Sequence, residues 1–186
     1  MRKIIVSTYS TLDGYIDDPQ DWSMSYTAEE AQKYSLDLTL SCGAMLLGRV
    51  TYEAMAQAWP HMGGNPFGDH VNSLPKYVVA SQPVDTSAWG PATVIAGDEL
   101  VERVTELKAA EGGDILIWGN GRLTDALAAA GLLDEYRVWL IPVVKGGGSE
   151  TLFRPESKAT LELLDTTVFA TGAVVHTYRP ENAARK

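Results

Sequence analysis

The chain has 186 residues, enough for one domain with a sizeable buried core. Its 45% hydrophobic and 21% charged residues describe a folded globular protein and exclude a disordered one. A net charge of −9 argues against a nucleic-acid binder, since phosphate backbones need a basic surface.

In chain order, Ile4 to Tyr9 reads as a buried strand that ends at the Asp13-Gly14 turn. Ser7, Thr8 and Ser10 interrupt its apolar run, so neither a membrane span nor a secreted fate is expected. Thr27, with Glu30 three residues on, predicts a capping box opening a helix to about Ser41. Cys42 is the only cysteine. It allows no internal disulfide and fits a cytoplasmic setting. Ala44 to Leu47 predicts a short strand, followed at Gly48 by a helix to about Trp59. Pro60 to Leu74 is rich in breakers and reads as a loop. Lys76 to Ala80 and Thr93 to Ala96 predict strands, and Asp98 is expected to cap a helix to about Ala110. Its apolar side is Leu100, Val104 and Leu107. Asp114 to Trp118 is the next strand, and a helix follows Gly121. After Tyr136 three strands come without a long helix between them, so antiparallel pairing is expected, with a bend or bulge near Asp165-Thr166-Thr167. The expectation is one α/β domain over residues 1–180, a mixed and mostly parallel sheet flanked by helices, and a mobile tail at 181–186.

Two strands run into a glycine, an arginine and a helix: "LLGRVTYE" and "LIWGNGRLTDAL". Glycines let the backbone turn sharply, and helix N-termini attract anions through free N–H groups and the helix dipole. Arg49 and Arg122 add forked donors suited to phosphate. A third strand ends in Ser81-Gln82-Pro83. Ligands of open α/β sheets bind outside the carboxyl ends of strands, so these three ends together predict a dinucleotide site.

In this order and spacing, "LLGRVTYE", "KYVVASQP" and "LIWGNGRLTDAL" resemble the cofactor-binding segments of dihydrofolate reductase. With "STLDGYID" and "LIPVVKGGGSETLF" the pattern resembles the reductase domain of riboflavin biosynthesis and its dihydrofolate-reductase-like relatives, from about Arg2 to Arg179. The resemblance implies a dihydrofolate-reductase-like fold, a homodimer and NADPH as cofactor. It implies pyrophosphate contacts at Gly48, Arg49, Val50 and Thr51 and at Gly119, Asn120, Gly121 and Arg122. Arg49, Ser81, Gln82 and Arg122 would surround the adenosine end. Ile16 would meet the nicotinamide carboxamide through its backbone, Leu123 would pack on the cofactor, and Trp118 would narrow the pocket floor.

The resemblance to folate enzymes weakens at two positions. Ungapped counting puts Gln32 where they carry an acid, and Pro75 where they carry an arginine for the glutamyl carboxylate. Asp13 then stands as the acid or polar anchor of the reaction, or as a plain turn residue. Gly146-Gly147-Gly148 is either a phosphate cradle or a loop approaching the nicotinamide side. His61, His70 and His176 have no ligand-like spacing, and no metal is expected. Trp22, Trp59, Trp89 and Trp139 are expected as core or cleft-wall residues. The implied activity is an NADPH-dependent reductase acting on a small heterocyclic or carbonyl/imine substrate. Two alternatives stay open: the riboflavin-pathway 5-amino-6-(5-phosphoribosylamino)uracil reductase, for which Lys76, Lys145 and Arg154 are the obvious phosphate-binding groups, and a nucleotide-binding protein without turnover.

Overall fold

A computed structural model describes residues 1–155 and 157–181. In chain order it contains β1 (Ile4–Thr11), α1 (Glu29–Ser41), β2 (Cys42–Gly48), α2 (Arg49–Ala56), α3 (Pro66–Ser73), β3 (Lys76–Ala80), β4 (Ala92–Ala96), α4 (Leu100–Ala109), β5 (Asp114–Trp118), α5 (Arg122–Ala129), β6 (Glu135–Ile141), β7 (Leu161–Val168) and β8 (Val174–Pro180). The strands belong to one eight-stranded mixed sheet. Two compact units carry it: Met1–Ile4 with Leu36–Ile117, and Ile5–Ser35 with Trp118–Lys186. Of the expected tail, only Glu181 falls within the described residues.

In the first unit the strands are all parallel, in the order β4-β3-β2-β5. Met45, Leu46 and Leu47 are all buried, the continuous apolar run that a sheet covered on both faces demands. At the start of β2 the ladder shifts register, and Gly43 there passes Gly113 so closely that a Cβ would lie 2.8 Å from the Gly113 nitrogen. An aromatic stack closes the other side. Tyr52 and Trp89 are stacked at 5.9 Å, and Trp59 stacks on Trp89 at 6.4 Å. The Tyr52 hydroxyl donates to the Trp89 carbonyl, and the Trp89 indole N–H donates to Asn72 Oδ1. Lys76 lies fully buried beneath this stack. Its Nζ donates to the Asn72 carbonyl at 2.7 Å and sits 4.6 Å from the Trp89 ring centre.

In the second unit β1 and β6 pair in parallel, and β8 and β7 follow antiparallel, in the order β1-β6-β8-β7. The expected irregularity near Asp165 is present as a register shift between Leu163 and Asp165. The core here is aromatic. Trp139 stacks on Phe169 at 5.5 Å and meets Tyr34 edge-on at 5.2 Å, with Ala31, Ile141, Ala173 and Val175 around them. Trp89 and Trp139 are core residues, whereas Trp22 and Trp59 are half-buried.

Four local expectations need correction. Thr27 does not cap α1: its hydroxyl donates to the Met24 carbonyl at the end of a 3-10 turn, and Glu30 Oε2 accepts from the Ala170 N–H. The segment 60–74 is not all loop, because Asn65-Pro66 starts α3. Asn65 Oδ1 accepts from the Gly68 N–H, and proline suits the first helical position, where no N–H is needed. Asp98 is no cap either. It lies inside the 3-10 turn Gly97–Glu99, and α4 begins after it with no side-chain cap. Similarly, α2 stops at Ala56, and Trp59–His61 is a separate 3-10 turn led by the proline at 60.

Candidate functional site

Within the first unit, the parallel pairing of β2 with β3 sets Gly48 opposite Val79. The carboxyl ends of both strands therefore finish together, and the exposed Ser81 and Gln82 follow two residues beyond that pair. Ser81 also lies against the start of the turn after β4, where a Cβ on Gly97 would sit 2.6 Å from Ser81 Oγ. Gly48 is extended (φ −73°, ψ 154°) and α2 begins at once with Arg49. No side chain caps this helix. Its first-turn N–H groups, including that of half-buried Thr51, are the donors a helix leaves unbonded internally. A Cβ on Gly48 would meet nothing within 4 Å, so the approach to this terminus is open. Arg49 is already engaged: its Nη1 donates to both carboxylate oxygens of Glu53, at 3.0 and 2.8 Å.

Within the second unit the Trp118-to-Leu123 turn has a similar build. Gly119 adopts φ +82°, a conformation that favours glycine, and its N–H donates to the Ser7 carbonyl. Neither Gly119 nor Gly121 has anything within 4 Å of a would-be Cβ. Arg122 at the start of α5 is exposed, while Trp118 and Leu123 are half-buried. The Asn120 side chain is engaged within the protein. It is buried, its Nδ2 donates to the Leu152 carbonyl, and its Oδ1 accepts from the Thr124 hydroxyl. Its side chain ties the turn to the segment at 152.

Asp13 lies on the turn before Gly14, and both its oxygens are occupied. Oδ1 accepts from Lys145 N–H at 3.0 Å and Oδ2 from Gly146 N–H at 2.7 Å. These donors, the Lys145 one foremost, hold the carboxyl down at about 2, so at neutral pH it is an ionised acceptor. Asp17 closes the other end of the same loop. It pairs with Lys145 Nζ at 2.5 Å and accepts from Glu150 N–H, and the ammonium holds its carboxyl at about 2 as well. Lys145 is correspondingly raised by Asp17. Gly148 passes so close that a Cβ would lie 2.6 Å from Tyr15 Cδ1. Ile16 is buried, and its N–H donates to the Glu150 carbonyl, which leaves only its own carbonyl oxygen for a carboxamide. The triple glycine is therefore the middle of a loop fastened at both ends by aspartates.

Of the folate-type positions, Gln32 is exposed and donates to the Thr27 carbonyl, while Ala31 and Tyr34 are the α1 residues turned into the second unit's core. Tyr34 receives a hydrogen bond from Arg137. Pro75 is exposed, and its carbonyl accepts from Met45 N–H. His70 bonds to the Thr39 carbonyl and His176 to Thr166, and no three metal-ligating side chains are grouped among the described residues. Among these residues no helix is long and apolar enough to cross a membrane.

The model of the RibD C-terminal domain family matches residues 2–176. The chain belongs to that family. Among curated proteins it is similar to the uncharacterized protein YyaP of Bacillus subtilis, 26% identical over 184 residues that cover 95% of this chain and 94% of that protein. Among solved structures it resembles a candidate riboflavin biosynthesis protein from Shewanella sp. PV-4, with a TM-score of 0.71, 22% identity, and coverage of 97% and 99%. It also resembles dihydrofolate reductase from Enterococcus faecalis in complex with NADP(H), with a TM-score of 0.62, 16% identity, and 97% coverage of both chains. At such identities the structures establish the fold. The dihydrofolate-reductase-like fold expected from "LLGRVTYE", "KYVVASQP" and "LIWGNGRLTDAL" together with "STLDGYID" and "LIPVVKGGGSETLF" is thus the fold of this chain.

Proposed function

We propose that the protein is an NADPH-dependent reductase acting on a small heterocyclic or carbonyl/imine substrate. The observation that carries this reading is the open glycine turn at Gly48, which leads into a helix whose first residue is an arginine; the turn at Gly119–Gly121 has the same build within the second unit. Each turn by itself fits a phosphate group, for which helix N-termini and glycine backbone supply N–H donors and a favourable dipole. The solved dihydrofolate reductase with NADP(H), which shares the fold, supports the same cofactor class. NADPH supplies hydride when bound. In the first unit the residues that suit it are Gly48 and Thr51 at the phosphates and Arg49, Ser81 and Gln82 at the adenosine end, with Arg49 toward the 2′-phosphate; in the second unit they are Gly119, Gly121 and Arg122 of its own turn. Trp118 and Leu123 would pack on it, and the Ile16 carbonyl would accept from the carboxamide.

Asp13 then acts as a fixed anion that anchors the Lys145–Gly146 backbone, since a carboxylate held near 2 carries no proton to give at neutral pH. The riboflavin-pathway reductase is a second reading, favoured by the family match. Against it, the three obvious basic groups for a substrate phosphate all have partners inside the protein. Lys76 is buried beneath Trp89, Lys145 pairs with Asp17, and Arg154 with Asp125. NADPH oxidation followed at 340 nm with pterins, flavin precursors and quinones tests the reading. Turnover of a non-phosphorylated acceptor supports it, and turnover of the phosphoribosylamino-pyrimidine alone would favour the second. Binding without turnover across the panel would return the protein to a non-catalytic nucleotide binder.

A further inference from the structure

On the cofactor reading above, Arg49 at the head of α2 is the group that would meet the 2′-phosphate, yet it faces a competitor on its own helix. Glu53 is one turn on, where i and i+4 side chains share a face, and its carboxylate grips Nη1 with both oxygens. The two side chains are 39% and 44% exposed, so the grip is made in water and holds the guanidinium loosely. Only Nη1 donates in these two bonds, which leaves Nε and Nη2 as a second fork for a phosphate. A phosphate on that fork would stand about 5–8 Å from the Glu53 carboxylate, given bonds of about 2.8 Å on either side of a guanidinium.

We infer that Glu53 is a specificity-determining residue that restrains the preference of this protein for a 2′-phosphorylated dinucleotide. The inference rests on the cofactor reading above and deepens it. A dianionic 2′-phosphate is repelled by the carboxylate whether or not the Arg49–Glu53 pair opens, whereas a ribose 2′-hydroxyl carries no charge to be repelled. The opposite role, in which Glu53 orients Arg49 for the phosphate, would need a fixed geometry, and an exposed i, i+4 pair does not impose one. At a few ångströms through water, with screening over about 8–10 Å, two charges against one amount to about a twofold to fivefold effect on binding.

The test is fluorescence titration of wild type and Glu53→Gln with NADPH, NADH and adenosine 2′-monophosphate, at low salt and in 1 M NaCl. Glu53→Gln should tighten NADPH and adenosine 2′-monophosphate about twofold to fivefold at low salt and leave NADH unchanged. The gain should largely vanish in 1 M salt, where screening acts within about 3 Å. If Glu53→Gln unfolds the helix, Glu53→Asp, which draws the carboxylate back by one methylene, should shift NADPH in the same direction by less. An unchanged ratio of NADPH to NADH affinity, or weaker NADPH binding, overturns the inference while leaving the cofactor reading intact. If wild type binds neither dinucleotide, the cofactor reading fails and this inference with it.

Discussion

Lys76 offers a test of the first unit that needs no ligand. Its ammonium sits fully buried with the Asn72 carbonyl and the Trp89 ring for company, and burial pushes it from the ordinary 10.5 to about 8. A base whose folded value is depressed destabilises the fold while it is charged. Between pH 8 and 10.5 the unfolded chain binds this proton and the folded chain does not, so stability rises with pH through that window. The full difference corresponds to about 3 kcal/mol. The carbonyl and the ring partly replace water around the charged form, so about 1–2 kcal/mol is the expected rise. Lys76→Met, which keeps the buried stem and removes the charge, should flatten that rise and be at least as stable as wild type at pH 7. Urea denaturation at pH 7, 8.5 and 10 measures both proteins. A wild-type stability that stays level or falls over this range, or a Lys76→Met variant that keeps the rise, refutes the reasoning.

Asp17→Ala should release the Lys145–Glu150 loop, seen as faster amide exchange at Gly146 and Glu150 with β8 still protected. Because both clasp carboxyls are held at about 2, their contribution is present above about pH 4 and is lost as pH falls through about 2. Amide exchange of this loop that is already fast at pH 5 would contradict it. Methotrexate should bind at micromolar levels or weaker, since Gln32 and Pro75 supply neither charged anchor and each lost charged bond costs about 1.5–3 kcal/mol. Nanomolar binding by calorimetry would revive folate as substrate. We expect a homodimer, with the apolar side chains Leu163, Leu164 and Val168 exposed on β7 available to it, and a monomer by light scattering at micromolar concentration would rule it out.

Both glycine-arginine turns were legible because each is local. A strand, a glycine and a helix follow one another within a few residues, and the hydrophobic pattern marks their order. The i, i+4 pairing of Arg49 with Glu53 could have been read in the same way, since helical spacing alone sets it. So could α3, had Asn65-Pro66 been taken as a helix start in place of a break. The roles of Asn120 and Asp17 were out of reach. Asn120 meets Leu152 and Asp17 meets Lys145 across 32 and 128 residues, and no periodicity in the chain encodes such a contact. Asp13 was legible as a turn residue, but its partners depend on the Lys145–Gly146 backbone returning to the first turn. The Thr27 capping box failed because its hydroxyl makes a competing local bond to the Met24 carbonyl in the preceding turn.

The central claim is that Arg49 serves a 2′-phosphate at the N-terminus of α2. Four dissociation constants test it most directly: NADPH and NADH, each titrated into wild type and Arg49→Ala. One charge-assisted contact is worth about 1.5–3 kcal/mol, and exposure together with competition from Glu53 reduces that to about 1–1.5 kcal/mol. Wild type should therefore bind NADPH about fivefold to tenfold more tightly than NADH, and Arg49→Ala should erase the difference with NADH affinity unchanged. Equal binding of the two dinucleotides by wild type, or a parallel loss of both in Arg49→Ala, would contradict the account and move Arg49 to the pyrophosphate.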